Sequence, residues 1–461
     1  MTPAKLQFVV ALVSMGSLAR ASESHAQAAR MYTLDQAVTQ ALASHPRIRA
    51  AGADESAASA RIDEARTARL PDAGVSAQLN RSTGNTVPGA FFPIQGFAPI
   101  AGPTRGKSID EGSWQTGVSA WATWDVLSVA RQAAAIDVAL ASHGEASAAT
   151  SARKLEVAYR AADAFIALLE AQEVVRAAQA SVDRAQTLAT ITKPLVDQTL
   201  RPGADLSRAD AEVAAAQTLL ARAEQARGVR RAELAEALGD ASARVDVTAG
   251  ALLAPVDGIA GRPVTASAAH PEIAQANAAV TRAASAQSVV QVEYLPRLDV
   301  VAAIWARGSG IFNSPAAGLV PDTPNWAVGA TLTWSVLDIP TIRARARSAS
   351  AAYTAAIARR DETQLAIAAQ LARGSAILDG ALRVARQTPA TLQSARVAQQ
   401  QATARYKTGL SSVVDVADAE RILTQAEIDD ALARLEVRRA LLLLARASGD
   451  LSAFLAQARA A

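Results

Sequence analysis

The chain repeats itself. Ala41-Leu-Ala-Ser-His-Pro46 returns as Ala266-Ser-Ala-Ala-His-Pro271, and Leu70-Pro71 as Leu295-Pro296, both displaced by 225 residues. Further along, Trp124-Asp-Val-Leu127 is echoed by Trp334-Ser-Val-Leu337, Asp205 by Asp415, Ala209 by Ala419 and Gly239-Asp240 by Gly449-Asp450, all displaced by 210. The 15-residue difference falls in one loop, from Arg81 to Gly112, rich in Gly, Pro and Thr and carrying the Phe91-Phe92 pair. A register that holds on both sides of one insertion points to two copies of a unit. Each copy reads helix, strand, strand, long helix, turn, helix. The copies span 29–239 and 266–449, with 240–265 as a linker and 450–461 as a tail.

The helical arms are longest in the second copy. Ile357, Gln364, Leu371, Leu378, Ala385 and Leu392 recur at seven-residue steps, and Ile428, Leu432, Leu435 and Leu442 follow at steps of three, four and seven. Both patterns are those of coiled-coil helices. Between them lies Tyr406-Lys-Thr-Gly409, where Gly409 suits the stop and Ser412 the restart. A helix from Asp338 to Thr408 would be on the order of 100 Å long, and Pro389 is expected to kink it rather than end it. The first copy has Leu155, Tyr159, Ala162, Ile166 and Leu169 along one stripe and continues to about Leu200. Thr199 stands where Gly409 predicts a glycine, so Arg201-Pro202-Gly203 is expected to make that turn. Half of the 461 residues are apolar but only 4% are aromatic. The alanine surplus lets helices approach closely while each contact contributes little burial energy, which favours long bundles over a thick core.

Before each long helix the period changes from helical to alternating. Val75, Ala77 and Leu79 alternate with Gly74, Ser76, Gln78 and Asn80, giving a strand at about 73–81. A second strand, about 114–124, sets Trp114, Val118, Ala120, Ala122 and Trp124 on one face. In the second copy, Leu298, Val300, Ala302, Ile304 and Ala306 share a face of the strand at about 298–307. Trp326, Val328, Ala330, Leu332 and Trp334 share a face of the strand at about 326–334, with Ala327, Gly329, Thr331 and Thr333 behind. Tryptophans at both ends of such strands (Trp114, Trp124, Trp326, Trp334) fit the aromatic girdles of a membrane barrel; a soluble sandwich with Trp in its core is the plainer alternative. Residues 1–28 read as an export signal: Lys5, the apolar run Leu6 to Leu18, and small residues at Ala26-Gln27-Ala28, with Ala19-Arg20-Ala21 as a second cleavage point. Export, and the lack of any later run of about 18 uninterrupted apolar residues, favour the barrel.

The chain resembles the outer membrane factor (TolC) family. The resemblance rests on the repeated helix that ends in Leu-Pro before a strand, on Ala-Arg-Thr-Ala-Arg-Leu-Pro71 and Val-Glu-Tyr-Leu-Pro296, and on Tyr406-Lys-Thr-Gly409 followed by Val414-Asp-Val-Ala-Asp418. It implies a homotrimer with a 12-stranded barrel, four strands per chain, continued by a periplasmic α-helical tunnel. The implied role is a passive outer membrane channel for tripartite efflux or type I secretion, opened at its periplasmic tip. A periplasmic adaptor and an inner-membrane transporter of ABC or RND type are the implied partners, beside outer membrane lipid. Asp415 and Asp418 match the paired carboxylates of the pore constriction. Tyr406 matches a tyrosine that ties the closed tip, and Asp205 the acid that receives such ties. Ser411 stands where the family's best-known member has an arginine, which puts an ion pair to Asp205 in doubt. Independently of the family, Ser412-Val-Val-Asp415 reads as a capping box, and both roles can coexist.

Other signals exclude function classes. Gly102-Pro-Thr-Arg-Gly106-Lys-Ser108 is one residue short of a phosphate loop and sits between strands. His45 and His270 interrupt helices at matched positions and mark turns; neither a metal nor another cofactor is expected. No nucleophile has a base beside it in the pattern, so no enzyme is expected. A net charge of +3 gives no field for nucleic acid. Cysteine is absent, which removes disulfides and a lipid-modified cysteine. The competing reading is a soluble, exported coiled-coil scaffold or adaptor.

Overall fold

The computed structural model describes residues 30–83, 112–240, 244–254, 267, 269–309 and 315–460. The expected export segment, the Phe91-Phe92 pair and the 102–108 glycine motif lie outside the described residues. In chain order the first half comprises β1 (Arg30–Tyr32), α1 (Leu34–Ser44), α2 (Pro46–Thr67), β2 (Asp72–Thr83), β3 (Gly112–Asp125), α3 (Val129–Asp197) and α4 (Gly203–Ala237). After β4 (Val245–Val247) the second half follows: α5 (Pro271–Gln291), β5 (Arg297–Ser309), β6 (Thr323–Thr333), α6 (Ile339–Lys407), α7 (Val413–Ser448) and α8 (Ser452–Ala460). The halves match in length as well as order. α3 and α6 each have 69 residues, and α4 and α7 have 35 and 36. At about 1.5 Å per residue the long arms reach roughly 100 Å.

Local chemistry explains where the helices begin. Thr33 and Gln36 close a capping box at α1, and Ser412 and Asp415 close another at α7. The repeated His-Pro is a cap of a different kind. Nδ1 of His45 accepts the backbone N–H of Arg47 at 3.1 Å, and Nδ1 of His270 that of Glu272 at 3.2 Å, while each proline fills the first helical position. Each histidine also packs beneath the left-handed glycine that ends its own half, Gly239 or Gly449. A Cβ on Gly449 would come within 2.8 Å of the His270 ring.

Three expectations need correction. The stretch between the repeats is not a bare linker: β4 pairs in parallel with β1, and Gly250–Leu253 forms a 3-10 turn. Strands of three residues are too short to show alternation. The tail folds as α8 and buries Phe454. At the first hairpin, Thr199 itself takes the left-handed conformation, with φ of 58°. Pro202 and Gly203 then cap and open α4 rather than making the turn. α6 runs on through Pro389.

The main core sits mid-molecule, where Phe165, Ile166, Leu168 and Leu169 of α3 meet Leu234, Leu238, Leu435, Leu442 and Phe454. Smaller clusters continue down the arms. In the heptad stripe of α6, Leu378, Ala385 and Leu392 are buried, but Gln364 is exposed and Ile357 half-buried. The seam ends because α7 does: Gly374 of α6 lies against Leu444, close to the last turn of α7. Above that level α6 packs on α5 instead.

Candidate channel wall and tip gate

The four longer strands form one antiparallel sheet in the order β2-β3-β5-β6, so each half contributes one hairpin and β3 joins β5 across the repeat. Register settles the faces. Val75 lies opposite Ala120, Ala120 opposite Ile304, and Ile304 opposite Trp326. Because side chains alternate, these share one face with Leu79, Val118, Trp124, Val328 and Leu332. That face is apolar and bare: Val75 is 85% and Trp326 76% exposed. The opposite face carries Gly74, Ser76, Gly117, Ser119, Thr123, Gly329 and Thr331, with Ser76 and Ser119 hydrogen-bonded at 2.7 Å. β2 and β6 are open edges among the described residues.

Trp114, Trp124, Trp326 and Trp334 all fall on the apolar side by parity, but at different heights. Trp326 lies level with Ala120, between Trp114 and Trp124, and Trp334 follows the last residue of β6. Arg81 stacks on Trp114 at 5.6 Å, and Trp124 donates its indole N–H to the Arg69 carbonyl at 3.2 Å. Trp121 and Trp305 point the other way. The Trp121 ring covers Gly74, where a Cβ would come within 2.8 Å.

At the far end of the arms the two hairpins are tied together. Tyr406 is 1% exposed and packs with Leu188, Val413 and Val416. Its hydroxyl meets Oγ1 of Thr192 at 3.0 Å. Arg201 reaches across from the first turn, its guanidinium 4.8 Å above the Tyr406 ring. Nη2 of Arg201 donates to the carbonyls of Tyr406 and Ser411, each at 3.1 Å. Asp205 sits in the first turn of α4, and no hydrogen bond or ion pair among the described residues carries its carboxylate to the second hairpin. The tie that formed in its place was missed in the sequence, although a signal existed. Arg201 and Ser411 are 210 residues apart, so the arginine stands at the position that the repeat equates with Ser411.

A sequence model of the family described as "Outer membrane efflux protein" matches residues 37–240 and 263–450. The chain belongs to that family. Solved channels agree in fold. The CmeC outer membrane channel of Campylobacter jejuni superposes with a TM-score of 0.74 at 14% identity, over 93% of this chain and 89% of that one. The open state of the MtrE outer membrane channel of Neisseria gonorrhoeae gives 0.70 at 20% identity, over 90% and 89%. The outer membrane protein VceC of Vibrio cholerae gives 0.70 at 18% identity, over 90% and 96%. No curated protein sequence matches the chain. Membership makes this an outer membrane efflux channel, of a family built as trimers that work within tripartite pumps.

In this efflux channel an ionic seam continues upward from the tip between α3 and α7. Arg184 donates to Glu420 at 2.7 Å, Thr424 at 3.0 Å and Glu427 at 3.1 Å, and Gln399 of α6 donates to Glu420 at 2.7 Å. Higher up the polarity is reversed. Arg439 of α7 donates to Asp163 at 2.7 Å and Glu170 at 3.2 Å on α3. Burial pushes the Glu420 and Glu170 carboxyls above the usual carboxylate range despite these cations. Asp415 behaves oppositely. Its Oδ2 accepts the backbone N–H and the hydroxyl of Ser412, both at 2.9 Å, which holds its pKa below the ordinary value. Asp418, one turn further, is exposed and ion-paired with Arg421. Among the described residues no cluster of His, Asp and Glu could hold a metal.

Proposed function

We propose that three copies close their sheets into a twelve-stranded barrel, and that their arms enclose a periplasmic tunnel serving a periplasmic adaptor and an ABC- or RND-type inner-membrane transporter. The carrying observation is the bare apolar sheet face bounded by two open edges. Unpaired backbone groups in hydrocarbon cost several kcal/mol each, so such a sheet must associate until it closes. The four outward tryptophans then face lipid, with Trp326 between the levels of Trp114 and Trp124 rather than in a girdle with them, and the Gly/Ser/Thr face lines the water column.

In the tunnel, α7 packs on α6 through Leu423, Ala426 and Val437 and on α3 through Glu420, Thr424 and Leu435. Two sides remain. One bears the Gly250–Leu253 turn, whose carbonyls receive Arg434 and Arg438. Three such layers inside would fill the duct. The other side, with Asp418, Arg421, Gln425, Asp429 and Glu436, therefore faces the lumen. Where the tunnel narrows, Asp415 and Asp418 form rings that favour cations over anions. The Tyr406 and Arg201 contacts hold the tip closed, and a partner that separates the hairpins opens it. Leu200 and Leu410, 66% and 71% exposed at the two turns, offer the adaptor an apolar footing.

Membrane fractionation tests the reading. A heat-modifiable trimer in the outer membrane fraction is expected; release by salt or carbonate would sink it and favour a soluble scaffold.

A further inference from the structure

The acids assigned to the constriction do not stand alone. Arg421 lies one helical turn beyond Asp418, about 4.5 Å along the axis, and donates to its carboxylate. Both side chains are more than half exposed, 52% for Asp418 and 68% for Arg421, on the unpacked side of α7. Arg421 and Glu212 of α4 line a shared gap of about 340 Å3. Among the described residues Arg421 has no other ion pair. Gln425, one turn above, is uncharged and bonded to Asp429 at 2.7 Å.

We infer that Arg421 sets the net charge of the constriction and so its ion selectivity. The inference rests on the reading that Asp415 and Asp418 line the tunnel. Each subunit then contributes two carboxylates and one guanidinium, half the negative charge of the acids alone. An exposed ion pair adds little to stability, because both charges stay solvated. A narrow aqueous ring responds differently, since every fixed charge within a Debye length of about 8 Å enters the field that a passing ion meets. The consequence is a distinct signature. In a ring of acids only, removing them leaves no charge; here it leaves uncompensated arginines, and selectivity reverses.

The test is the reversal potential of the full-length trimer in planar bilayers under a KCl gradient. Arg421→Gln should raise the cation-to-anion permeability ratio by roughly two- to fivefold, and Arg421→Lys should leave it as in the parent. The pair Asp415→Asn with Asp418→Asn should turn the channel anion-selective, and adding Arg421→Gln should bring it back to near-neutral selectivity. An unchanged ratio in Arg421→Gln, alongside a shifted ratio in the double Asn variant, would overturn the role of Arg421 while leaving the constriction standing. If the double Asn variant is also unchanged, the constriction reading fails and the inference with it. Heat-modifiability of each variant checks that the trimer has formed.

Discussion

The two hairpin tips share a backbone and divide the chemistry. Leu200 N–H bonds to the Leu195 carbonyl at 2.9 Å and Leu410 N–H to the Arg405 carbonyl at 2.8 Å, positions 210 residues apart throughout. A left-handed residue precedes each leucine, Thr199 or Gly409. Beyond that frame the halves diverge. The first hairpin supplies the reaching cation, Arg201; the second supplies the buried ring and the carbonyls that receive it. Duplication thus fixes the shape of the tip, while substitutions at matched positions decide which side holds the other. Neither half can make the tie alone.

The largest effect should come from the buried ring. Tyr406→Ala is expected to cost about 3–5 kcal/mol, the range for truncating a buried aromatic, and to raise resting conductance in bilayers. The matched residue in the first hairpin, Val196, is half-buried, and Val196→Ala should cost about 1 kcal/mol with little change in conductance. Comparable losses at the two positions would break the asymmetry. Tyr406→Phe removes only the bond to Thr192 and should cost about 1 kcal/mol.

Next comes the cation. Arg201→Ser should cost about 2 kcal/mol, as two carbonyls lose a charged donor and the ring loses its stacked guanidinium. The exchange Arg201→Ser with Ser411→Arg sharpens the comparison. If the halves are interchangeable here, conductance should return toward the closed level; an exchange no better than Arg201→Ser alone would mean that the tie depends on its direction. Smaller still is the turn itself. Thr199→Gly should stabilise the tip by about 1 kcal/mol, since a β-branched side chain is strained at positive φ, and Gly409→Thr should destabilise it by a similar amount. Thermal melts of the two variants should shift in opposite directions.

Most of the architecture was legible because it is periodic. The 225- and 210-residue echoes, the heptads and the alternation around Trp326 to Trp334 each record a face that must be buried or bathed in lipid, and such constraints leave a repeating trace. Contacts made once leave none. Parallel pairing of β1 with β4 involves three residues per strand, and α8 docks through Phe454 in a stretch too short for a stripe. At the tip, Tyr406 was marked out by the family resemblance and its partner Arg201 was not. Ser411 stands where the resemblance places an arginine after Gly409, and the cation that ties the tip sits instead at Arg201, the site the repeat matches to Ser411. Thr199 misled in the same way: propensity argued against a left-handed threonine, and the geometry shared with Gly409 prevailed.

The mid-arm seam and the tip should also differ in their response to pH, the smallest of these effects. Glu420 and Glu170 have folded pKa values raised by burial, so the fold favours their neutral forms. Their contribution is fully present below the ordinary carboxylate pKa and is lost as pH rises through the raised value. Acidification from neutral pH should therefore firm the seam, even though Arg184 and Arg439 lose an anionic partner, because desolvation is the larger influence. Asp415 has the opposite sign. Its pKa is lowered by the Ser412 hydrogen bonds, so it supports the tip above the ordinary carboxylate value and stops doing so as pH falls through the lowered one. Amide protection factors, taken relative to the intrinsic exchange rate at each pH, should thus rise along 163–184 and 420–439 under mild acidification while those of the turn at 409–415 are unmoved, and the turn should loosen only in stronger acid. Glu420→Gln and Glu170→Gln should flatten the seam's response and leave the turn's intact. If both regions instead weaken together under mild acid, the ionic attraction across the seam outweighs the burial of its carboxyls, and Arg184 and Arg439 hold the hairpins by charge.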